Sequence, residues 1–344
     1  MWCDPFVTNL APIDLRSDTV TRPDERMSAA MAAAEVGDDV LDHDPTMRRL
    51  EERVATLLGT EAALWVPSGS MGNLISLVLH LQRGDRFLAP HGSHVLNYEF
   101  GSAAWLAGGM PHPLEWNAGP GRPTPETVRS LGESGYDTLR TTLLCLENTH
   151  NSAGGAVTPP HEHAQLAAAA RDSGLRVHLD GARIWNASVA LGLPPAALAV
   201  GVDSVQVCLS KGLGAPVGSV VAGGEDFIAE ARRVRRMLGG GVRQGGVLAA
   251  AGLVALDRID SLATDHDNAR LLAEGLAEHG WSVTTPQTNI VLASVPDVAL
   301  ALERLSAVGV RAVSMSGQIR FVTHRDVSRA DIKEALRRID DARI

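Results

Sequence analysis

Leu209-Ser210-Lys211-Gly212-Leu213-Gly214-Ala215-Pro216-Val217-Gly218 is the stretch on which the reading of this chain turns. The apolar run Ser204 to Leu209 reads as a buried strand, and a lysine follows it at once, trailed by glycines and a proline. A strand that delivers an ammonium into the interior incurs a large cost unless the charge is paired or neutralised. Glycines there let backbone or ligand come close. A lysine that loses its charge on burial is an amine ready for Schiff-base chemistry. The same residues also suit a surface loop after a strand, so the rest of the chain has to decide.

Working outward, Thr142 to Leu146 and Leu175 to Leu179 are continuous apolar runs, as strands buried on both faces require. Pro160 to Ser173 between them reads as a helix. Strands alternating with helices predict βαβ units and a parallel sheet. Three strands end in polar clusters, Glu147 to Asn151, Asp180 to Arg183 and Ser210-Lys211. Right-handed crossovers bring such ends to one edge of the sheet. Val217 to Ala222 follows too soon for a crossover helix and is expected to run antiparallel. Further upstream, strand Ala62 to Val66 enters Pro67-Ser68-Gly69-Ser70-Met71-Gly72-Asn73 and then a helix through Leu81. Free N–H groups and the helix dipole make such a turn an anion pocket, or Ser68 or Ser70 simply caps the helix. Arg86 to Pro90 reads as the next strand, with His91, Ser93 and His94 leading into a helix through Leu106. Ligands of open α/β sheets gather at such strand ends.

The flanks are plainer. Ile13 to Pro23 reads as an extended arm, Met27 to Ala34 as a helix, and Asp44-Pro45 as the capped start of another that Gly59 stops. Ala229 to Met237 is a basic helix, Gly239 to Gln244 a turned loop carrying Arg243, and Val247 to Ile259 and Ala263 to His279 are helices. Short strands and two helices follow from Trp281. The expected organisation is an arm (1–25), a large domain (26–258) and a smaller α+β domain (259–344).

Composition narrows the function classes. In 344 residues, 45% are hydrophobic and 21% charged, the balance of a globular chain with room for a large core. No apolar run reaches the roughly 18 residues of a membrane span, and Met1 to Leu10 lacks the pattern of a signal peptide. A cytoplasmic protein with no membrane partner is expected. A net charge of -9 with mixed signs and few aromatics speaks against nucleic acid. Cys3, Cys145 and Cys208 are far apart and form no C-x-x-C pair, so neither a disulfide nor a metal site is expected.

One chemistry uses all the singled-out parts. Pyridoxal 5'-phosphate needs an anion pocket, a lysine for its aldehyde, and a carboxylate beside the ring nitrogen. Ser68 to Gly72, Lys211 and Asp180 supply these in turn, although Asp180 could also cap the helix that follows it.

The segments Asp14-Leu15-Arg16-Ser17-Asp18-Thr19-Val20-Thr21, Val66-Pro67-Ser68-Gly69, Leu146-Glu147-Asn148-Thr149-His150-Asn151, Leu179-Asp180-Gly181-Ala182-Arg183, Ser210 to Gly218 and Gly239 to Gln244 resemble those of the L-threonine aldolases, low-specificity or L-allo type. The resemblance runs from about residue 13 to Arg329. It implies an α/β fold type I pyridoxal phosphate enzyme, with a mostly parallel seven-stranded sheet and a smaller C-terminal α+β domain. It implies a homotetramer, a dimer of dimers with active sites at subunit interfaces. By the same resemblance Lys211 is the Schiff-base lysine, Asp180 the partner of the ring nitrogen, and Ser68, Gly69 and Ser70 the phosphate cradle. His94 stacks over the ring, and Arg243 reaches a neighbouring subunit's phosphate. Ser17, Arg183 and Arg320 hold the substrate carboxylate, and His150 lies near the substrate hydroxyl.

The implied reaction cleaves the Cα–Cβ bond of a β-hydroxy-α-amino acid to glycine and an aldehyde, with His94 or His150 as base. The family commonly has tyrosine after Gly-Asp-Asp-Val, whereas Leu41 follows Gly37-Asp38-Asp39-Val40 here. Leu41 is expected to make that part of the substrate pocket more apolar. The competing readings are another pyridoxal phosphate enzyme on this scaffold (a transaldolase, a β-eliminating lyase or an amino-acid racemase) and a binding protein that has kept the scaffold.

Overall fold

The computed structural model describes residues 11–133 and 135–342; Met1 to Leu10, with Cys3, lie outside the described residues. In chain order the strands are β1 (Ile13–Asp14), β2 (Ala62–Val66), β3 (Arg86–Pro90), β4 (Met110–Leu114), β5 (Thr141–Glu147), β6 (Arg176–Gly181), β7 (Ser204–Cys208), β8 (Ser219–Gly223), β9 (Ser282–Val283), β10 (Ile290–Ser294), β11 (Val310–Arg311), β12 (Val313–Met315) and β13 (Gln318–Val322).

A seven-stranded sheet has the order β2-β8-β7-β6-β5-β3-β4. Strands β4, β3, β5, β6 and β7 are parallel, and β8 runs antiparallel to both its neighbours, as its short connection to β7 demands. Helices on both faces shield it. Trp65, Leu144, Leu179, Trp185 and Val207 belong to the large core so formed, each contributing about 1.5–3 kcal/mol by burial. A second core, with Leu272, Leu276, Phe321 and Ile332, lies against a four-stranded sheet of order β12-β13-β10-β9.

Local signals held where capping chemistry was explicit. Asp44 accepts from the N–H groups of Thr46 and Met47 at the start of helix Pro45–Leu58, and Gly59 closes it in the left-handed region at φ 68°. Two expectations are corrected, and one strand was not anticipated at all. Met110–Leu114 is an edge strand although it holds Pro111 and Pro113. The helix expected to run through Leu106 stops at Asn97, because Phe100 (φ 53°) and Gly101 (φ 73°) reverse the backbone before a separate π-helical turn at Ala103–Ala107. The arm is anchored rather than peripheral: β1 pairs with β11, and Ile13 and Leu15 are buried in the second core.

Candidate active site

The carboxyl ends of β5, β6 and β7 and the start of helix Gly69–His80 surround a cavity of about 370 Å³. Seven of the anticipated residues meet on its wall: Ser68, Gly69, Ser70, His94, Asp180, Arg183 and Lys211. Ser68 caps the helix by accepting from the Met71 N–H at 3.2 Å, while the first-turn N–H groups beyond it keep no intrahelical acceptor. The capping and anion-pocket readings are therefore compatible. Behind Gly69 there is no room for a side chain. A Cβ there would come within 2.9 Å of Gln206 Nε2 and 3.0 Å of Cys208 Sγ. Lys211 is half-buried on the opposite margin, and its carbonyl accepts from Thr21 Oγ1 at 2.8 Å and from the Gly214 N–H at 2.9 Å.

Asp180 is buried, and both oxygens accept: Oδ1 from the Ala182 N–H at 3.0 Å and Oδ2 from Asn73 Nδ2 at 2.8 Å. Asn73 Nδ2 also donates to Glu99 Oε1 at 2.7 Å, and Glu99 Oε1 lies 2.9 Å from His94 Nδ1. Burial alone would lower the His94 pKa, but the Glu99 hydrogen bond and the Asp180 and Glu99 charges outweigh it and raise the value. Burial raises the Glu99 carboxyl as well. Both shifts favour the protonated form of the group concerned. Glu147 fixes the backbone around it, accepting from the His94 N–H at 2.7 Å and the Asn151 N–H at 2.8 Å.

Arg183 is buried and gripped from behind by Asp18, at 2.8 Å from Nε and 2.7 Å from NH2. Burial would raise the Asp18 carboxyl, yet the Arg183 charge and hydrogen bonds hold it well below the usual range. Arg320 stands one layer back, donating to Asn151 Oδ1 at 2.9 Å and to the Arg16 carbonyl at 2.9 Å. Burial, together with the Arg183 charge, pushes its guanidinium down to about 10. Its Nε is buried without a partner, as is Thr149 Oγ1 on the cavity wall.

The other anticipated residues lie off the wall. Ser17 caps the turn Asp18–Val20, and its neighbour Thr19 reaches the cavity. His150 is buried edge-on to Trp116, with ring centroids 5.3 Å apart, and its Nε2 is 3.4 Å from Ser93 Oγ. Leu41 is 80% exposed. Arg243 is exposed and pairs with Asp38 at 2.9 Å. Sequence reasoning assigned no role to Asp18, Asn73, Glu99 or Glu147. Their signal is three-dimensional, since Asn73 lies 107 residues from the Asp180 it holds.

A family model described as beta-eliminating lyase matches residues 14–297. Over 343 residues the chain is 43% identical to the probable low-specificity L-threonine aldolase 2 of Arabidopsis thaliana, with 96% of each covered. The chain belongs to this family of low-specificity L-threonine aldolases. It is likewise 42% identical over 324 residues to the low specificity L-threonine aldolase of Escherichia coli K12, covering 94% of this chain and 96% of that one. Among solved structures, Leishmania major threonine aldolase superposes with a TM-score of 0.81 at 19% identity, covering 96% and 98% of the two chains. A serine palmitoyltransferase of Sphingomonas wittichii gives 0.76 at 20% identity, covering 96% and 87%. At such identities the likeness is one of fold, the α/β fold type I of pyridoxal phosphate enzymes.

Membership in the family brings pyridoxal 5'-phosphate as cofactor, and the donor set fits it. A helix N-terminus without side-chain obstruction, a buried carboxylate, a lysine and an imidazole share one cavity. His94, Glu99 and Asp180 also place one potential metal-ligand atom each within 4.8 Å of one another, but the Asn73 amide already bridges the two carboxylates.

Proposed function

We propose that this chain cleaves L-threonine, L-allo-threonine and related β-hydroxy-α-amino acids between Cα and Cβ, giving glycine and an aldehyde, and that it also runs the reverse aldol addition of glycine. The observation that carries the reading is the meeting of Lys211, Asp180, the Ser68 helix N-terminus and the His94–Glu99 pair in one cavity. When bound, pyridoxal 5'-phosphate supplies the electron sink for the bond that breaks. Residues 68–70 would hold its phosphate, Asp180 would partner its ring nitrogen, and Lys211 would anchor it. Arg183, held by Asp18, presents a guanidinium to the substrate carboxylate; Ser17 and Arg320, which stand off the wall, would have to turn toward it to complete that end.

His94 serves as the base. Its Nδ1 faces Glu99, which leaves Nε2 to take the β-hydroxyl proton as the Cα–Cβ bond breaks and the aldehyde C=O forms. His150, packed against Trp116 behind Ser93, supports the loop that carries His94. Glycine is released after a proton returns to Cα.

The reading extends to a homotetramer whose active sites lie at subunit interfaces, where Arg243 would reach a neighbour's phosphate and Leu41 a neighbour's substrate pocket. Their exposure on this chain supports that arrangement. A division into arm, large domain and small domain at residues 25 and 258 is part of the same proposal; two separate cores support it, although Ile13 and Leu15 of the arm pack in the second core and Leu262 packs in the first. No helix among the described residues is long and apolar enough to cross a membrane. A cytoplasmic location suits the free buried thiols of Cys145 and Cys208.

One assay tests the reaction: L-threonine, L-allo-threonine and a phenylserine are offered, with aldehyde and glycine both measured. Equimolar aldehyde and glycine are expected. Ammonia with a keto acid, or the D-amino acid, would sink the aldol reading in favour of elimination or racemisation.

A further inference from the structure

Behind Asp180 a chain of buried polar groups runs away from the cavity. His178 Nε2 is 3.0 Å from Asn73 Oδ1, His178 Nδ1 is 2.9 Å from Ser204 Oγ, and Ser204 Oγ is 2.8 Å from His80 Nε2. Asn73, His178 and Ser204 are at most 1% exposed. His80, at the far end, is stacked on Phe227 with ring centroids 5.1 Å apart. Nothing in the aldol chemistry described above uses these groups.

Elementary hydrogen-bond chemistry fixes the direction of every link. Two carboxylates, Asp180 and Glu99, face Asn73 on one side and accept only, so the NH2 group must point at them and the carbonyl at His178. That carbonyl in turn only accepts, so His178 must carry its proton on Nε2. Its bare Nδ1 then accepts from the Ser204 hydroxyl, whose oxygen accepts a hydrogen bond from the His80 Nε2–H. Burial, with His80 nearby, pushes the His178 pKa down to about 3, and burial takes His80 to about 4, so both rings are neutral and have one N–H to give.

We propose that Asn73 is a positioning residue that sets Asp180 and the Glu99–His94 pair at once, and that the relay His80–Ser204–His178 locks its amide in the one orientation that permits this. Flipping the amide would set its oxygen against two carboxylates and leave His178 facing a second donor. A single side chain thereby ties the group that partners the cofactor ring to the group that takes the substrate proton. The inference rests on the role given to Asp180 above.

The test uses the tautomer, the cofactor and a conservative rescue. In the cofactor-free wild-type chain, 15N-detected histidine spectra should show His178 protonated at Nε2 and bare at Nδ1. In the holoenzyme, His178→Leu removes the donor to Asn73. It should raise the cofactor dissociation constant about tenfold, the scale of one lost buried hydrogen bond, and shift the pH midpoint of the bound cofactor's absorbance. His178→Gln, which keeps an N–H where Nε2 was, should restore both. A His178 protonated at Nδ1, a leucine variant matching wild type, or a glutamine variant failing as badly as leucine would each overturn the relay. The tautomer reading needs no variant to fold. Normal cofactor binding and threonine cleavage beside an Nδ1 proton would sink the relay alone, whereas failure to bind the cofactor would sink the aldol reading and the role of Asp180 with it.

Discussion

At the inner end of the cavity Asp180, Glu99 and Glu147 each accept from two donors of this same chain, whereas on the loops 37–42 and 239–244 the anticipated residues Leu41 and Arg243 face outward. Those loops are not loose at their base. The Asp39 N–H donates to the Arg243 carbonyl at 2.9 Å, and the buried Asp39 carboxylate pairs with Arg235 at 2.7 Å. The inner carboxylates find their donors within one polypeptide, while the outer tips stand exposed on this chain. Substitutions should therefore act differently in the two regions.

The sharpest break is Lys211→Ala, which should cut threonine cleavage on the order of a thousandfold or more and change the absorbance of bound cofactor, while thermal unfolding of the cofactor-free chain stays as it was. Loss of the fold instead would mean that Lys211 is chiefly structural. Next comes Asp18→Asn, which leaves the Arg183 guanidinium buried without its counter-charge. Breaking such a pair costs about 3–5 kcal/mol, to be read by urea denaturation at neutral pH. Because the folded Asp18 carboxyl lies below its ordinary 3.8, that stabilisation is whole above this pH and is lost only as the pH falls through the folded value. The gap between wild type and variant should accordingly close in acid.

A smaller effect is expected of Glu99→Gln. The raised His94 pKa favours the protonated ring, so the base-competent neutral form accumulates only above the ordinary value of 6.5. The acid limb of kcat/KM should lie above that value in wild type and move to lower pH in the variant. An unmoved limb would remove His94 from the role of base. The smallest expected effect is that of Leu41→Tyr, which should leave stability and cofactor binding unchanged and alter only the relative rates on threonine and phenylserine. Unchanged relative rates would mean that Leu41 meets no substrate.

The same contrast governs what could be read before the fold was known. Lys211, Asp180, Ser68 and His94 stand at strand ends or beside a helix start, where apolar run and polar residue are neighbours in the chain. Those junctions are local, and so were β2, β5 and β6. Asn73 and Asp18 matter through partners 26 to 165 residues away, and Glu99 joins Asn73 to a histidine five residues before it; no spacing rule points to such pairs. Glu99 was further disguised because the expected helix breaks around Phe100, and that break turns its carboxylate inward. Strand β4 escaped because its prolines argue against a ladder position.

Those prolines carry a consequence of their own. The Met110 N–H donates to the Asp85 carbonyl at 2.7 Å, and the Leu114 carbonyl accepts from the His91 N–H at 2.7 Å. Residues 110, 112 and 114 thus turn their backbone groups toward β3, and alternation leaves Pro111 and Pro113 facing outward. An outer rim with prolines at both outward positions has no N–H there to offer a passing strand. That margin keeps only the two prolyl carbonyls as outward backbone groups between Met110 and Leu114. Less edge-to-edge pairing between copies is the expected consequence, set by two residues that take no part in catalysis.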